Sequence, residues 1–290
     1  MLGTEHKKIK QQKMAEISNE ESYPNIRESW RVVGTIILFS ILFIPIKMIF
    51  ETTLGKELTS LIYYVLTMGI TFLIIHRKRI NRQETSNYDF GIGSIKIVLL
   101  LCFATAAILI GIKFPIISQI PIPDFIQKIF LDDGSSTGVY SFITIVIAAP
   151  ILEELIFRGI ILNGLLKSYS PLKSIIISSL LFGLVHLNPW QFIGASIGGI
   201  LSGWVYFKTK KITLPIIIHM TNNSLAFIGQ YFSSRNVNLT KSISSEYSLT
   251  ELYGGTTNLI VILTIAITIA LSSIYLLDKE FRKKKKNSYA

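Results

Sequence analysis

The chain has 290 residues, of which 50% are hydrophobic and 16% are charged, and its mean hydropathy is +0.49. An ordinary soluble domain carries about 25% charged residues, so this composition is too apolar for one. The formal net charge of +11 is concentrated in connections between apolar runs, which is typical of membrane orientation and not of nucleic-acid binding. The composition therefore predicts an integral membrane protein with the lipid bilayer, and no nucleic acid, as its partner.

Eight apolar runs follow one another along the chain, and a helix of roughly 20 residues crosses a hydrocarbon core about 30 Å thick. They predict an all-α polytopic membrane protein, folded as a single bundle of about eight transmembrane helices. The fifth and sixth runs are the shortest. The runs are 32–50, 58–76, 95–114, 138–166, 171–187, 190–207, 212–232 and 256–277.

The polar ends of the chain predict two tails around the bundle. Residues 1–31 lack the apolar core and cleavage site of a signal peptide, and we interpret them as a cytoplasmic N-terminal tail. Residues 278–290 form a basic C-terminal tail suited to anionic lipid, and residues 32–277 form the bundle. Basic and non-basic connections alternate, which predicts that both termini lie in the cytoplasm and that the protein resides in the cell membrane.

Two further features carry weaker expectations. The loop 114–134 contains three prolines and a short amphipathic piece, which favours a lid or a cap along the outer membrane surface. The single cysteine, Cys102, lies within the third apolar run. A lone cysteine forms no intramolecular disulfide, and packing is its predicted role.

Three charges stand in the apolar segment "APILEELIFRG", residues 149–159. A charge at the centre of a bilayer costs roughly 2.5–3.5 kcal/mol on insertion scales, so each needs a partner or a wet cavity. Glu154 and Arg158 are four residues apart and share a helix face, which predicts an ion pair. Glu153 is rotated about 100° from Glu154 and remains unpaired, less than a turn after the helix-kinking Pro150. A structural ion pair beside a protonated carboxyl group explains this segment as well as a functional site does.

Two histidines also lie inside apolar runs, one helical turn from aromatic or amide side chains. His186 follows Phe182 in "FGLVH", and His219 precedes Asn222 and Asn223 in "HMTNN". An intramembrane histidine is most often an interhelical hydrogen-bonding group, but the combined set of polar residues fits a hydrolase, a proton-coupled transporter or a zinc site. The sequence contains no HExxH, no Gly-rich phosphate loop, no GxSxG and no paired interrupted halves. Hydrolysis is therefore the favoured chemistry.

These residues resemble the CAAX proteases and bacteriocin-processing enzymes, the CPBP or Abi family, which includes the type II CAAX prenyl protease or Ras-converting enzyme. The family motif EExxxR is matched by "EELIFR", FxxxH by "FGLVH" and HxxxN by "HMTNN". The three motifs occur in order within residues 138–232, which we take as the catalytic core. The remaining apolar runs are matched by hydropathy alone.

The resemblance implies an intramembrane endopeptidase that hydrolyses a membrane-associated or hydrophobic peptide with glutamate-activated water. It assigns Glu153 as the general base and His186 as its assistant. It assigns His219 and Asn223 to stabilisation of the tetrahedral oxyanion. The substrate is then a peptide or a lipidated protein, and the sequence does not say which.

The same resemblance assigns structural support of the site to the remaining motif residues Glu154, Arg158 and Phe182. It also leaves a zinc alternative, in which Glu153, His186 and His219 bind the metal. We favour the metal-free version because an asparagine near the site suits an oxyanion better than zinc. A non-catalytic membrane scaffold or bacteriocin immunity protein of the same fold is the alternative function, and a proton-coupled carrier is a more distant one.

Helix lengths place the predicted site residues at different depths in the membrane. At about 1.5 Å per residue, Glu153 lies about 22 Å from the outer end of its run and His186 about 22 Å from the inner end of its run. His219 lies about 10 Å from the inner side by the same count. A kink at Pro150 or a tilted fourth helix would bring these depths together.

Overall fold

A computed structural model describes residues 23–82, 87–121, 137–235 and 248–287, which are almost entirely helical. Within these ranges no β-strand forms, and the predicted all-α class is confirmed. Most of the predicted N-terminal tail and of the loop 114–134 lies outside the described residues. The helices are α1 (Ile26–Leu42), α2 (Ile44–Leu54), α3 (Lys56–Asn81), α4 (Ile95–Ile117), α5 (139–168), α6 (Pro171–Leu184), α7 (Pro189–Thr209), α8 (Thr213–Arg235), α9 (Leu249–Leu252) and α10 (Thr256–Asn287).

Three helices, α3, α4 and α10, are long and apolar enough to cross a membrane. The first apolar run is not one straight helix, because α1 and α2 meet at a 46° bend and together make a fourth candidate span. Pro45 lies in the first turn of α2, where its missing N–H costs no helical hydrogen bond. The protein is thus an integral membrane protein, while the number of eight spans stays a prediction.

The fourth apolar run forms α5, whose middle departs from regular α-helical geometry. Two π-helical stretches, Ile143–Ala148 and Leu155–Leu162, flank a short α-helical piece, Ala149–Glu154. Pro150 stands at the start of that piece. A proline removes one helical N–H donor, and wide turns of this kind are frequent at functional sites. The predicted disturbance at Pro150 therefore takes the form of widened turns on both sides of it.

Helices α6 and α7 pack closely because small residues line their contact, as the composition of "GASIGGILSG" predicts. A Cβ added to Gly183 would lie 2.4 Å from Ser196 Oγ and 2.6 Å from the Phe192 carbonyl oxygen. A Cβ at Gly199 would lie 3.0 Å from Ser179 Cβ and 3.1 Å from an Arg158 nitrogen. Glycine at these two positions therefore allows the close approach of α7 to its neighbours.

The connection between α3 and α4 is fastened to the start of α8. The backbone N–H of Ile212 donates to the Asp89 carbonyl oxygen at 2.8 Å, and the Asp89 carboxylate pairs with Lys211 at 3.1 Å. The backbone N–H of Gly91, together with the Lys211 ammonium, lowers the pKa of Asp89. These contacts hold the end of α8 that precedes His219.

Candidate active site

The ion pair predicted from the spacing is present at the centre of the bundle. Arg158 Nη1 donates to Glu154 Oε1 at 2.9 Å, and both side chains are about 1% exposed. Arg158 Nη2 also donates to the Gly199 carbonyl oxygen at 3.2 Å, and its guanidinium lies 4.5 Å from the centre of the Phe182 ring. Because α5, α6 and α7 each contribute a partner, this arginine fixes the three helices relative to one another.

His219 of α8 connects the two neighbouring glutamates. Its Nδ1 lies 3.1 Å from Glu154 Oε1, and its Nε2 lies 3.9 Å from Glu153 Oε2. A carboxylate paired with arginine only accepts hydrogen bonds, so Nδ1 carries the hydrogen in this contact. The Nε2 atom is then the nitrogen that faces Glu153.

Glu153 and Glu154 each have one buried oxygen, Oε2, without a hydrogen-bond partner among the described residues. Glu154 is paired with Arg158 through its other oxygen, whereas Glu153 has no arginine partner in the described structure. Glu153 is 8% exposed, and its Oε1 accepts a hydrogen bond from the Tyr64 hydroxyl at 2.5 Å. Its Oε2 is buried without a hydrogen-bond partner in the part of the chain that the structure describes. A buried polar atom of this kind usually marks a site for a water, an ion or a substrate.

Tyr64 is a site residue that the sequence did not reveal. It lies on α3, in an apolar run that contains none of the motif residues, and its neighbour Tyr63 bonds elsewhere, to the Ser40 carbonyl oxygen at 2.6 Å. The only indication in the sequence that α3 contributes a polar side chain to the site is the pair of adjacent tyrosines in its apolar run. Which of them faces the bundle depends on the rotation of α3, and that rotation is set by tertiary packing.

Phe182 contacts both of the predicted histidines. Its ring centre lies 5.4 Å from that of His186 and 5.5 Å from that of His219, with the rings nearly perpendicular in both cases. His186 follows the end of α6, and its Nδ1 lies 3.0 Å from the Phe182 carbonyl oxygen. Since a carbonyl oxygen only accepts, Nδ1 donates and Nε2 keeps its lone pair. No described contact joins His186 to Glu153, so its role as assistant to the base stays a prediction.

Asn223 is held by the widened turn of α5. Its Nδ2 donates to the Ile145 carbonyl oxygen at 2.8 Å. The N–H of Ala149 bonds to the carbonyl of Thr144, five residues earlier. With the same spacing, the carbonyl of Ile145 would accept from residue 150, but Pro150 has no N–H. The proline thus leaves the Ile145 carbonyl available, and the asparagine occupies it with one of its two amide hydrogens.

The described residues do not gather a metal-binding set. They contain no group of three His, Cys, Asp or Glu side chains positioned to hold a metal ion. Glu153 and His219 face one another, whereas no described contact joins His186 to either of them. The zinc alternative therefore lacks an assembled trio of ligands. Cys102 is half-buried, with its Sγ 3.4 Å from Thr221 Oγ1.

The fold and these contacts define an all-α integral membrane protein with two glutamates and an arginine buried in its helix bundle and a histidine in contact with both glutamates. Residues 135–225 match the family described as "Type II CAAX prenyl endopeptidase Rce1-like". Residues 135–225 are therefore similar to the Rce1-like family, and the predicted resemblance to the CAAX proteases is confirmed. All seven motif residues lie within the matched range.

Curated relatives agree with this family. The chain is 36% identical over 90 residues to "Putative membrane peptidase YdiL" of Bacillus subtilis, which is 31% of this chain and 37% of that protein. It is 25% identical over 224 residues to "Membrane-embedded CAAX protease MroQ" of Staphylococcus aureus, covering 62% of this chain and 90% of the relative. An "Uncharacterized 24.3 kDa protein" of Escherichia coli is 27% identical over 114 residues, 38% of this chain and 52% of that protein. No solved structure shows a significant match.

Proposed function

We propose that the protein is an intramembrane endopeptidase in which Glu153 activates water. The observation that carries the proposal is the buried Glu153 Oε2, which has no partner among the described residues and lies 3.9 Å from His219 Nε2. That separation is too long for a direct hydrogen bond and suits a bridging water. The names of the two bacterial relatives, a membrane peptidase and a membrane-embedded CAAX protease, support the same reaction class.

The proposed reaction uses three side chains, Glu153, Asn223 and His219. Glu153 accepts a proton from water, and the water oxygen forms a bond to the carbonyl carbon of the peptide. The oxyanion that results accepts hydrogen bonds from the second amide hydrogen of Asn223 and from the Nε2–H of His219, which in this proposal is an imidazolium with a hydrogen on each ring nitrogen before and after the reaction. The proton held by Glu153 then passes to the leaving amine as the C–N bond breaks. Glu154 and Arg158 keep His219 oriented throughout.

The substrate we propose is a hydrophobic or membrane-tethered peptide, because the reacting carboxylate is buried in a bundle whose outer surface is apolar. Basic connections alternate with non-basic ones along the chain, and we infer from this pattern that both termini lie in the cytoplasm of the cell. The membrane concerned is then the cell membrane. Lipidated and unlipidated peptides of this kind are both candidate substrates, so both are compared experimentally.

Replacing His219 with alanine is the first test of this proposal. The variant is expected to lower the turnover of a peptide in proteoliposomes by about 10²-fold, because the oxyanion loses one donor and Glu153 loses its facing group. Cleavage products are identified by mass spectrometry with prenylated and unprenylated versions of each hydrophobic peptide. His76→Ala is the matched control, since His76 bonds to the Tyr88 hydroxyl and does not contact the carboxylates. Wild-type protein that cleaves none of the peptides would favour the non-catalytic scaffold instead.

Tyr64→Phe removes the hydroxyl that orients Glu153. The expected result is a decrease of kcat of about ten-fold with little change in KM, because a hydrogen bond to a charged group contributes about 1.5–3 kcal/mol. Tyr63→Phe serves as the control, since it removes a neighbouring hydroxyl that bonds to the Ser40 carbonyl oxygen. Equal kcat values for the two variants would contradict the role given to Tyr64.

A further inference from the structure

A lysine, Lys113, is buried inside the bundle next to the two adjacent asparagines of α8, Asn222 and Asn223. Lys113 lies at the end of the π-helical stretch of α4, Leu109–Lys113, and the residue is 6% exposed. Its ammonium donates to Asn222 Oδ1 at 2.5 Å. No carboxylate in the described ranges lies within ion-pair distance of Lys113. A charge in a membrane bundle is costly, so a buried ammonium bonded to a neutral amide requires an explanation.

The hydrogen bonds that begin at Lys113 all run in one direction. Lys113 donates to Asn222 Oδ1, Asn222 Nδ2 donates to Asn223 Oδ1 at 3.0 Å, and Asn223 Nδ2 donates to the Ile145 carbonyl oxygen. An ammonium has donors and no acceptor, so it forces the oxygen of the first amide toward itself. The nitrogen of each amide is thereby turned toward the next residue. Hydrogen bonds aligned in series polarise one another, which makes the last N–H groups better donors.

We propose that Lys113 is a positioning residue that orients and polarises the Asn223 amide for oxyanion stabilisation. This inference rests on the proposed function, in which the second amide hydrogen of Asn223 meets the developing negative charge. The positive charge of Lys113 acts through Asn222 and contacts no substrate atom. The sequence placed Lys113 at the end of an apolar run, where a lysine normally reaches the membrane surface, and so gave no reason to connect it with the site.

A purely structural role is the competing explanation. Lys113 joins α4 to α8 and lies beside α7, where its Nζ is 3.7 Å from the Cβ position of Gly198. If that junction were all it provided, its loss would lower the stability of the fold and leave the chemical step of the folded fraction unchanged. The two roles therefore predict different values of kcat for the folded protein.

The test compares Lys113→Met with Lys96→Met in proteoliposomes. Lys96 lies on the same helix, is 58% exposed and pairs with Glu280 at 2.8 Å, so it is a matched control for the loss of a lysine. Lys113→Met is expected to lower kcat on the order of ten-fold with KM within about two-fold. It is also expected to weaken the binding of a peptide phosphonamidate, an anionic analogue of the tetrahedral intermediate, by a similar factor. Lys96→Met is expected to change none of these quantities.

The outcomes separate this inference from the proposed function. Wild-type protein that neither cleaves peptides nor binds the phosphonamidate contradicts the proposed function itself. Active wild-type protein with an unchanged kcat in Lys113→Met overturns the inference alone. If Lys113→Met does not fold, Lys113→Gln keeps an N–H donor to Asn222 without the charge. Reduced kcat and weaker phosphonamidate binding in that variant support the inference, and wild-type values overturn it.

Discussion

Replacing Glu153 with glutamine is expected to lower the turnover of a hydrophobic peptide by about 10⁴-fold, at the upper end of the range for loss of a general base. Glutamine has nearly the same shape, and its side-chain oxygen still accepts the hydrogen bond that Tyr64 donates to Oε1. It has no carboxylate to take a proton from water. The decrease is measured as kcat/KM in proteoliposomes, with the products identified by mass spectrometry.

The folding of this variant provides the necessary control. Because Glu153 Oε2 is buried without a partner in the described structure, its replacement by a neutral amide is expected to leave the unfolding temperature unchanged or higher. Glu51→Gln makes the same chemical change on α2, in the α1–α2 pair that contributes none of the motif residues, and should keep wild-type turnover. Retention of more than one tenth of the activity in Glu153→Gln would rule out this carboxylate as the base.

Arg158→Met is expected to lower the free energy of unfolding by about 3–5 kcal/mol. Methionine fills much of the same volume, but it leaves the Glu154 carboxylate buried without its arginine and removes the donor to the Gly199 carbonyl oxygen. Glu154 then keeps only the contact with His219. The measurement is equilibrium unfolding of the purified protein in detergent, followed by circular dichroism.

The chain offers a matched control for this effect in a second ion pair of the same spacing. Arg282 and Asp278 of α10 are also four residues apart, at 2.6 Å, and the arginine side chain is 77% exposed. Arg282→Met is expected to cost well under about 1 kcal/mol, because solvent screens an exposed pair. The double variant Glu154→Gln/Arg158→Met should recover much of the loss, since no uncompensated charge stays buried. Equal destabilisation by the two arginine substitutions would contradict the importance of burial.

These two experiments also separate the peptidase from its main alternative. A scaffold or immunity protein of this fold requires the Glu154–Arg158 pair for stability and has no use for a free carboxylate oxygen on Glu153. It would lose its cellular effect in Arg158→Met and keep it in Glu153→Gln. The peptidase loses its effect in both variants, although for different physical reasons.

Local properties of the chain were predictable from the sequence alone. Apolar runs and excess charge in the connections indicate a membrane protein, because the cost of burying charge in lipid acts on each segment separately. The Glu154–Arg158 pair follows from helical spacing, since residues four apart share a face whatever the rest of the fold does. The three ordered motifs identified the Rce1-like segment, which the family match confirms.

The arrangement of the site was decided by tertiary structure. Hydropathy does not specify how a helix is rotated or how deep it lies, so it did not predict that Tyr64 contacts Glu153 or that Lys113 reaches Asn222. The π-helical turns on either side of Pro150 change which side chains of α5 face α8, and a regular helical wheel contains no such turns. The contact of His219 with both glutamates joins α8 to α5, so it depends on how the two helices pack and not on the spacing of residues within either one.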